Sequence, residues 1–225
     1  MLKEIMKGTK RNWKGITGLE TAIILIAFVV VASVFAYTVL SAGIFSSQKG
    51  KEAIYSGLEE ARASIEPKGS MLAYRGTVGS TDTAVKISFT VTNALAGQAI
   101  DLTPPYVATD TDLTASGLEN VCLITYIDDK QLINDAAWTV DFIGKNNGDY
   151  LLESGEQAVI TVWLVNYESS AYELGGGASD PFIDAEGNLL GTYDTFTIEV
   201  KGEKGAALIQ ERSLPARLDA VMDLN

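Results

Sequence analysis

Histidine is absent from the 225 residues, and cysteine occurs once. Without histidine there is no Ser-His-Asp triad, no Cys-His dyad and no HExxH zinc site. A single cysteine, Cys122, excludes an intramolecular disulfide, so burial has to stabilise the fold. Cys122 stands in the apolar run VCLITYI, which predicts a packed thiol rather than a reactive one. Positive charge is scarce too, with 17 Lys and Arg against 29 Asp and Glu. Five of those bases (Lys3, Lys7, Lys10, Arg11, Lys14) lie within residues 1–15 beside one acid, Glu4, which leaves the remainder 12 bases and 28 acids, a net of −16. So acidic a body argues against nucleic acid as a partner and suits an exposed surface. No Asn-x-Ser/Thr sequon occurs, so N-linked sugar is not expected, whereas O-linked sugar on Ser and Thr stays open.

What the chain does contain is a long apolar run. From Thr21 to Ser47 there is no charged residue, and a bilayer core needs roughly 20 apolar residues in helix. The basic flank places the N-terminus on the cytoplasmic side and the body outside. A cleaved secretory signal is the rival, with Ser41-Ala42-Gly43 as its small-residue site, but its apolar core would run only about 7–15 residues. One carboxylate, Glu20, stands at the mouth of the run. Either it sits at the interface in the first turn, where the helix dipole favours it, or it meets an ammonium from a neighbouring chain.

The helix continues as an amphipathic stripe, Ile54, Leu58, Ala61 and Ile65, with Lys51, Glu52, Glu59, Glu60 and Arg62 on other faces. Pro67 should stop it, giving a helix from about Thr17 to Ile65. Gly43, Gly50 and Gly57 recur every seven residues, and the same step backwards meets Ala36, Val29 and Ala22. Such a small-residue stripe either lets neighbouring helices approach closely or loosens the helix for a bend.

Beyond Ser70 the period becomes two. Val85, Ile87, Phe89 and Val91 alternate with Lys86, Ser88, Thr90 and Thr92, which predicts a half-buried strand. MLAYRGTV, VCLITYI, AAWTVDFI, QAVITVWLV, DTFTIEV and AALIQER read as further strands, with turns at NNGD, ESGE, GGG and EGN between them. Short strands with frequent turns and no intervening helix predict an antiparallel, Ig-like β-sandwich. QAVITVWLVN, apolar on both faces, should be a central strand.

Little of this suits chemistry. Asp128 and Asp129 would point to opposite faces of a strand and cannot act as an acid–base pair. Gly43 to Gly50-Lys51 lacks the spacing and the Ser/Thr of a P-loop. Two oxygen-rich loops, Asp110 with Asp112 and Asp184 with Glu186, could bind calcium, although neither follows the EF-hand series. Otherwise they are solvated turns, and no cofactor is expected.

The stretch KGITGLETAIILIAFVVVASVFAYTVLSAG resembles the leader junction and core helix of archaellins, the archaeal flagellins, which share this plan with type IV pilins. ERSLPARLDAVMDLN is similar to the ending of many methanogen-type members. The resemblance implies a class III leader, residues 1–15, cut after Gly15 by a prepilin-like leader peptidase so that Ile16 becomes the N-terminus and Glu20 the fifth mature residue. It further implies a core helix over 16–66 and a β-sandwich outer domain over 68–225. The function it implies is structural and not enzymatic. The chain would be a subunit of the archaellum filament, assembling through its helix with Glu20, Gly43, Gly50 and Gly57 at the contacts. Its partners would be further copies of itself or other archaellins in a mixed filament, the leader peptidase, the archaellum motor and assembly platform and, before assembly, the membrane. It would end outside the cell in a swimming filament. An adhesion pilin on the same plan, or a membrane-anchored ligand-binding ectodomain, is the alternative.

Overall fold

The computed structural model describes residues 18–95, 98–177 and 180–224. It holds one long helix followed by a mostly antiparallel β-domain. Helix α1 runs Gly18–Arg62, with Glu20 in its first turn and Arg62 in its last, each matching the sign the helix dipole favours there. Residues through Ile54 form one unit, and Tyr55–Asn225 form a second that takes in the last turns of α1.

The strands in chain order begin with β1 (Ile65–Val78), β2 (Thr81–Asn93), β3 (Ile100–Asp101), β4 (Tyr106–Ala108) and β5 (Leu113–Ala115). Next come β6 (Leu123–Asp128), β7 (Leu132–Ile133), β8 (Ala137–Ile143), β9 (Leu151–Leu152) and β10 (Gln157–Trp163). The last are β11 (Asn166–Glu168), β12 (Ala171–Glu173), β13 (Thr195–Lys201), β14 (Leu208–Ser213) and β15 (Val221–Asp223). The larger sheet has the order β11-β12-β1-β2-β10-β8, with β15 also paired to β1, and the smaller has the order β14-β13-β6-β7. All pairings are antiparallel except β1 with β12, which meet in parallel at Val78 and Tyr172.

One core joins the two sheets. A row across the larger sheet, Ala73–Ile87–Val162–Trp138, is fully buried, and Ile124, Tyr126, Phe196, Ile198 and Val200 of the smaller sheet belong to the same cluster. Each large apolar side chain removed from water stabilises by roughly 1.5–3 kcal/mol. β10 lies between β2 and β8, so the strand read as apolar on both faces is internal, one place from the edge. Cys122 is fully buried in this core, and burial pushes its thiol up to about 12, which keeps it neutral and unreactive.

The opposite face of the larger sheet is covered at one end by an aromatic cluster. Trp163 stacks on Tyr167 at 5.8 Å, Tyr167 tilts against Tyr172 at 5.0 Å, and the Lys86 ammonium lies 4.5 Å from the Trp163 ring. This is why Lys86 is half-buried, and that burial holds its pKa below the usual lysine range.

The helix ends earlier than its periodicity predicts. Its apolar stripe includes Ile65, but α1 stops at Arg62 and Ile65 to Lys68 already pair with β2. Tertiary contacts override the local pattern: the Ser64 carbonyl accepts from Ala94 N at 3.0 Å, and Ile65 is buried in the sandwich core. Pro67 is tolerated in β1 because its register position pairs only with Val91 of β2, while β12 and β15 meet β1 further along. Its missing N–H therefore faces an open edge.

Candidate assembly surfaces

Among the described residues of α1 none is buried, including Ile24, Phe28 and Phe35, and the helix is apolar and long enough to cross a membrane. Two hydroxyls of its apolar run are turned back on the helix itself. Ser33 Oγ donates to the Val30 carbonyl and Thr38 Oγ1 to the Phe35 carbonyl, each at 2.8 Å. Such back-bonding satisfies hydroxyls where no water is present. The helix surface is thus suited to an apolar environment.

Glu20, Gly43, Gly50 and Gly57 all lie on α1, whereas Gly15 and Ile16 lie outside the described residues. A Cβ added at Gly43, Gly50 or Gly57 meets nothing within 4 Å. No contact among the described residues accounts for these glycines, each of which costs about 1 kcal/mol of helix propensity against alanine.

The oxygen-rich loops fall into local structural roles. In the β11–β12 turn both central residues are left-handed, Ser169 at φ 51° and Ser170 at φ 64°, with neither a glycine. Asp112 Oδ1 accepts from Ser169 N at 2.9 Å, and the Thr111 carbonyl accepts from Ser170 N at 2.8 Å. The Asp110 carbonyl accepts from Tyr167 Oη at 2.9 Å. The 110–112 loop thus clamps a strained hairpin tip. The Thr111 hydroxyl, and then the Ser169 N–H, hold the Asp112 carboxyl below the usual aspartate range. Glu186 Oε1 accepts from Thr81 Oγ1 at 2.8 Å and ties the short 3₁₀ turn Glu186–Asn188 to the start of β2. Asp184 lines a hollow of about 360 Å³ with Asn134, Asp135 and Phe182. Among the described residues no three acidic, cysteine or histidine side chains gather where they could share a metal ion. Asp128 caps the turn after β6, its Oδ1 accepting from Lys130 N at 2.7 Å and Gln131 N at 2.8 Å.

A junction that sequence reasoning did not single out lies at the end of α1. Lys204 Nζ stands 2.8 Å from Glu59 Oε1, and Gly205 at φ +93° passes so close to Ala63 that an added Cβ would lie 2.3 Å from its carbonyl oxygen. The GEKG turn was the available signal. Which of its glycines needs to be one is decided by Ala63, distant in sequence.

The family model for archaeal-type flagellin matches residues 15–212. The chain belongs to the archaeal-type flagellin family. It is 34% identical to probable flagellin 1 of Archaeoglobus fulgidus over 95% of this chain and 96% of that one. It is 31% identical to probable flagellin 1 of Aeropyrum pernix over 92% and 95% of the two chains. A solved structure, the archaeal flagellum of Methanospirillum hungatei strain JF1, superposes with a TM-score of 0.58 at 23% identity, covering 93% of this chain and 99% of that one, and shares its fold.

Flagellin membership accounts for an apolar helix whose described residues are all exposed. The protein is a structural subunit of the archaeal flagellum, an extracellular cell-surface filament. The curated relatives are flagellins, which are structural proteins.

Proposed function

We propose that the chain is made as a membrane-inserted precursor with a cytoplasmic N-terminus, is cut between Gly15 and Ile16 by a prepilin-like leader peptidase, and enters the filament helix first. The observation that carries this reading is the fully exposed apolar helix α1 following a basic segment of five Lys and Arg within residues 1–15. Cutting there removes the charges that hold the N-terminus inside. In the filament, helices bundle while acidic β-domains face the solvent, and a separate motor turns the polymer for swimming. Glu20 is costly in hydrocarbon, by about 2.5–3.5 kcal/mol at mid-bilayer, and a neighbour's new Ile16 amine would offset that cost. The reading needs no cofactor.

Intact mass of purified filament protein tests it, with loss of residues 1–15 expected. A mature chain beginning at Ile44 would instead mark an ordinary secretory signal and overturn the proposal.

A further inference from the structure

Asn147 is the one asparagine in the sequence that precedes a glycine, in the turn NNGD between β8 and β9. An asparagine side chain can close on the backbone nitrogen that follows it, and a side chain on the next residue crowds that approach. Gly148 has none, and a Cβ built on it would meet nothing within 4 Å. Asn147, Gly148 and Asp149 are all exposed, so water reaches them.

Hydrogen bonds separate this asparagine from others in the domain. After Asn93 the Ala94 N–H donates to the Ser64 carbonyl at 3.0 Å, and after Asn188 the Leu189 N–H donates to the Glu186 carbonyl at 3.2 Å. The Tyr167 N–H donates to Asn166 Oδ1 at 2.9 Å. Each of those N–H groups is already engaged. Among the described residues, the Gly148 N–H has no acceptor. Asn147 Oδ1 accepts from the Asp149 N–H at 3.1 Å, which turns the side-chain amide back along the chain toward Gly148. The same N–H faces the oxygen on which charge develops when Cγ is attacked.

We propose that Asn147 is a site of spontaneous deamidation, with the Gly148 nitrogen as its nucleophile. The Gly148 N–H gives its proton to water as the nitrogen bonds to Asn147 Cγ. The bond from Cγ to Nδ2 then breaks, and ammonia leaves with a proton returned from water. The product is a five-membered succinimide. Water opens that ring at either carbonyl, giving aspartate or an isoaspartate whose main chain runs through the former side chain. One water is consumed and one ammonia released, with no oxidant and no cofactor.

Each event adds a negative charge to a body already at net −16, and isoaspartate lengthens the chain by one backbone atom. That atom enters just ahead of a short pairing. Asp149 Oδ1 accepts from Leu151 N at 2.9 Å, the Tyr150 carbonyl accepts from Leu102 N at 2.9 Å, and β9 meets β3 over two residues only. In an extracellular filament the change accumulates as the polymer ages.

Purified filaments held at mildly alkaline pH and mapped by peptide mass spectrometry test the proposal. Asn147 should convert at least about tenfold faster than Asn93, Asn166 or Asn188, because only its attacking nitrogen is free. Its rate should also stay within about tenfold of that in the same chain unfolded in urea. Isoaspartate, scored with an isoaspartyl methyltransferase, should form together with aspartate. Aspartate alone would mean direct hydrolysis by water and would overturn the succinimide route. Asn147 that stays intact in filaments while the unfolded chain converts would overturn the site itself, and would leave the flagellin reading untouched. Gly148→Ala, which crowds the nucleophile, should slow conversion about tenfold, and an unchanged rate would overturn the role given to Gly148.

Discussion

The Asp112 carboxylate holds the backbone of Ser169, a residue 57 positions further along, in a left-handed turn at a hydrogen-bond distance of 2.9 Å. A hairpin turn with φ positive at both central residues ordinarily carries Asn-Gly or Asp-Gly. Here Ser-Ser occupies it, and the strain is offset from outside the hairpin.

This arrangement has a pH dependence of fixed sign. Asp112 has a folded pKa below its unfolded value of about 3.9, so its contribution is complete above that value and is lost as pH falls through the folded pKa. Hydrogen exchange at Ser169 and Ser170 should therefore be protected near neutral pH and lose protection below about pH 4. Asp112→Ala should abolish the protection at every pH. Replacing Ser169-Ser170 with Asn-Gly should make Asp112→Ala nearly silent, and equal effects in both backgrounds would show that the clamp does not bear on the turn.

A second prediction concerns Gly205. Alanine there meets an unfavourable φ and the Ala63 carbonyl together, so Gly205→Ala should destabilise the β-domain by about 2–3 kcal/mol. Gly187→Ala, with open space around its Cβ and no positive φ, serves as the control and should be close to neutral. Urea unfolding followed by the fluorescence of buried Trp138 and Trp163 compares the two.

The seven-residue stripe gives a third. Since among the described residues nothing beyond the helix's own backbone lies within 4 Å of a Cβ at Gly50, Gly50→Leu should leave folding and processing intact. If the stripe is a packing seam, Gly50→Ala should still assemble, with about 1 kcal/mol better helix propensity, and Gly50→Leu should not. A required bend would suffer from both changes. Filament yield against Ser56→Leu, off the stripe, separates these outcomes.

Glu20→Gln is the fourth. With an ammonium of a neighbouring chain as its partner in the filament, the variant should be cleaved normally and assemble poorly. Normal filament length and yield would leave Glu20 as an interfacial residue only.

Much of this protein is legible from its sequence because its signals are local. The apolar run of α1 and the period-two strands β2, β8, β10 and β13 declare themselves over six or more residues. What was not legible depended on partners far along the chain. Ile65 continues a helical stripe and yet enters a strand, because Asn93 of β2 and the sandwich core claim it. Strands β3 and β9 are two residues each and exist only because Ile100 meets Leu152 and Asp101 meets Leu151. Asp112 resembles a calcium ligand in its loop, and only the fold shows that its carboxylate reaches Ser169.

The pairing of β15 with β1 bears on the order in which the chain is made. Leu72, Ala73 and Tyr74 at the start of the domain take their partners from Val221 to Asp223, and Leu224 N donates to the Met71 carbonyl at 2.8 Å. The first strand synthesised is therefore completed by one of the last, and Met222 and Leu224 close the core beside it. By then α1 has long left the ribosome. The β-domain therefore cannot close until those last residues are made, a pairing of high sequence separation that is slow to form.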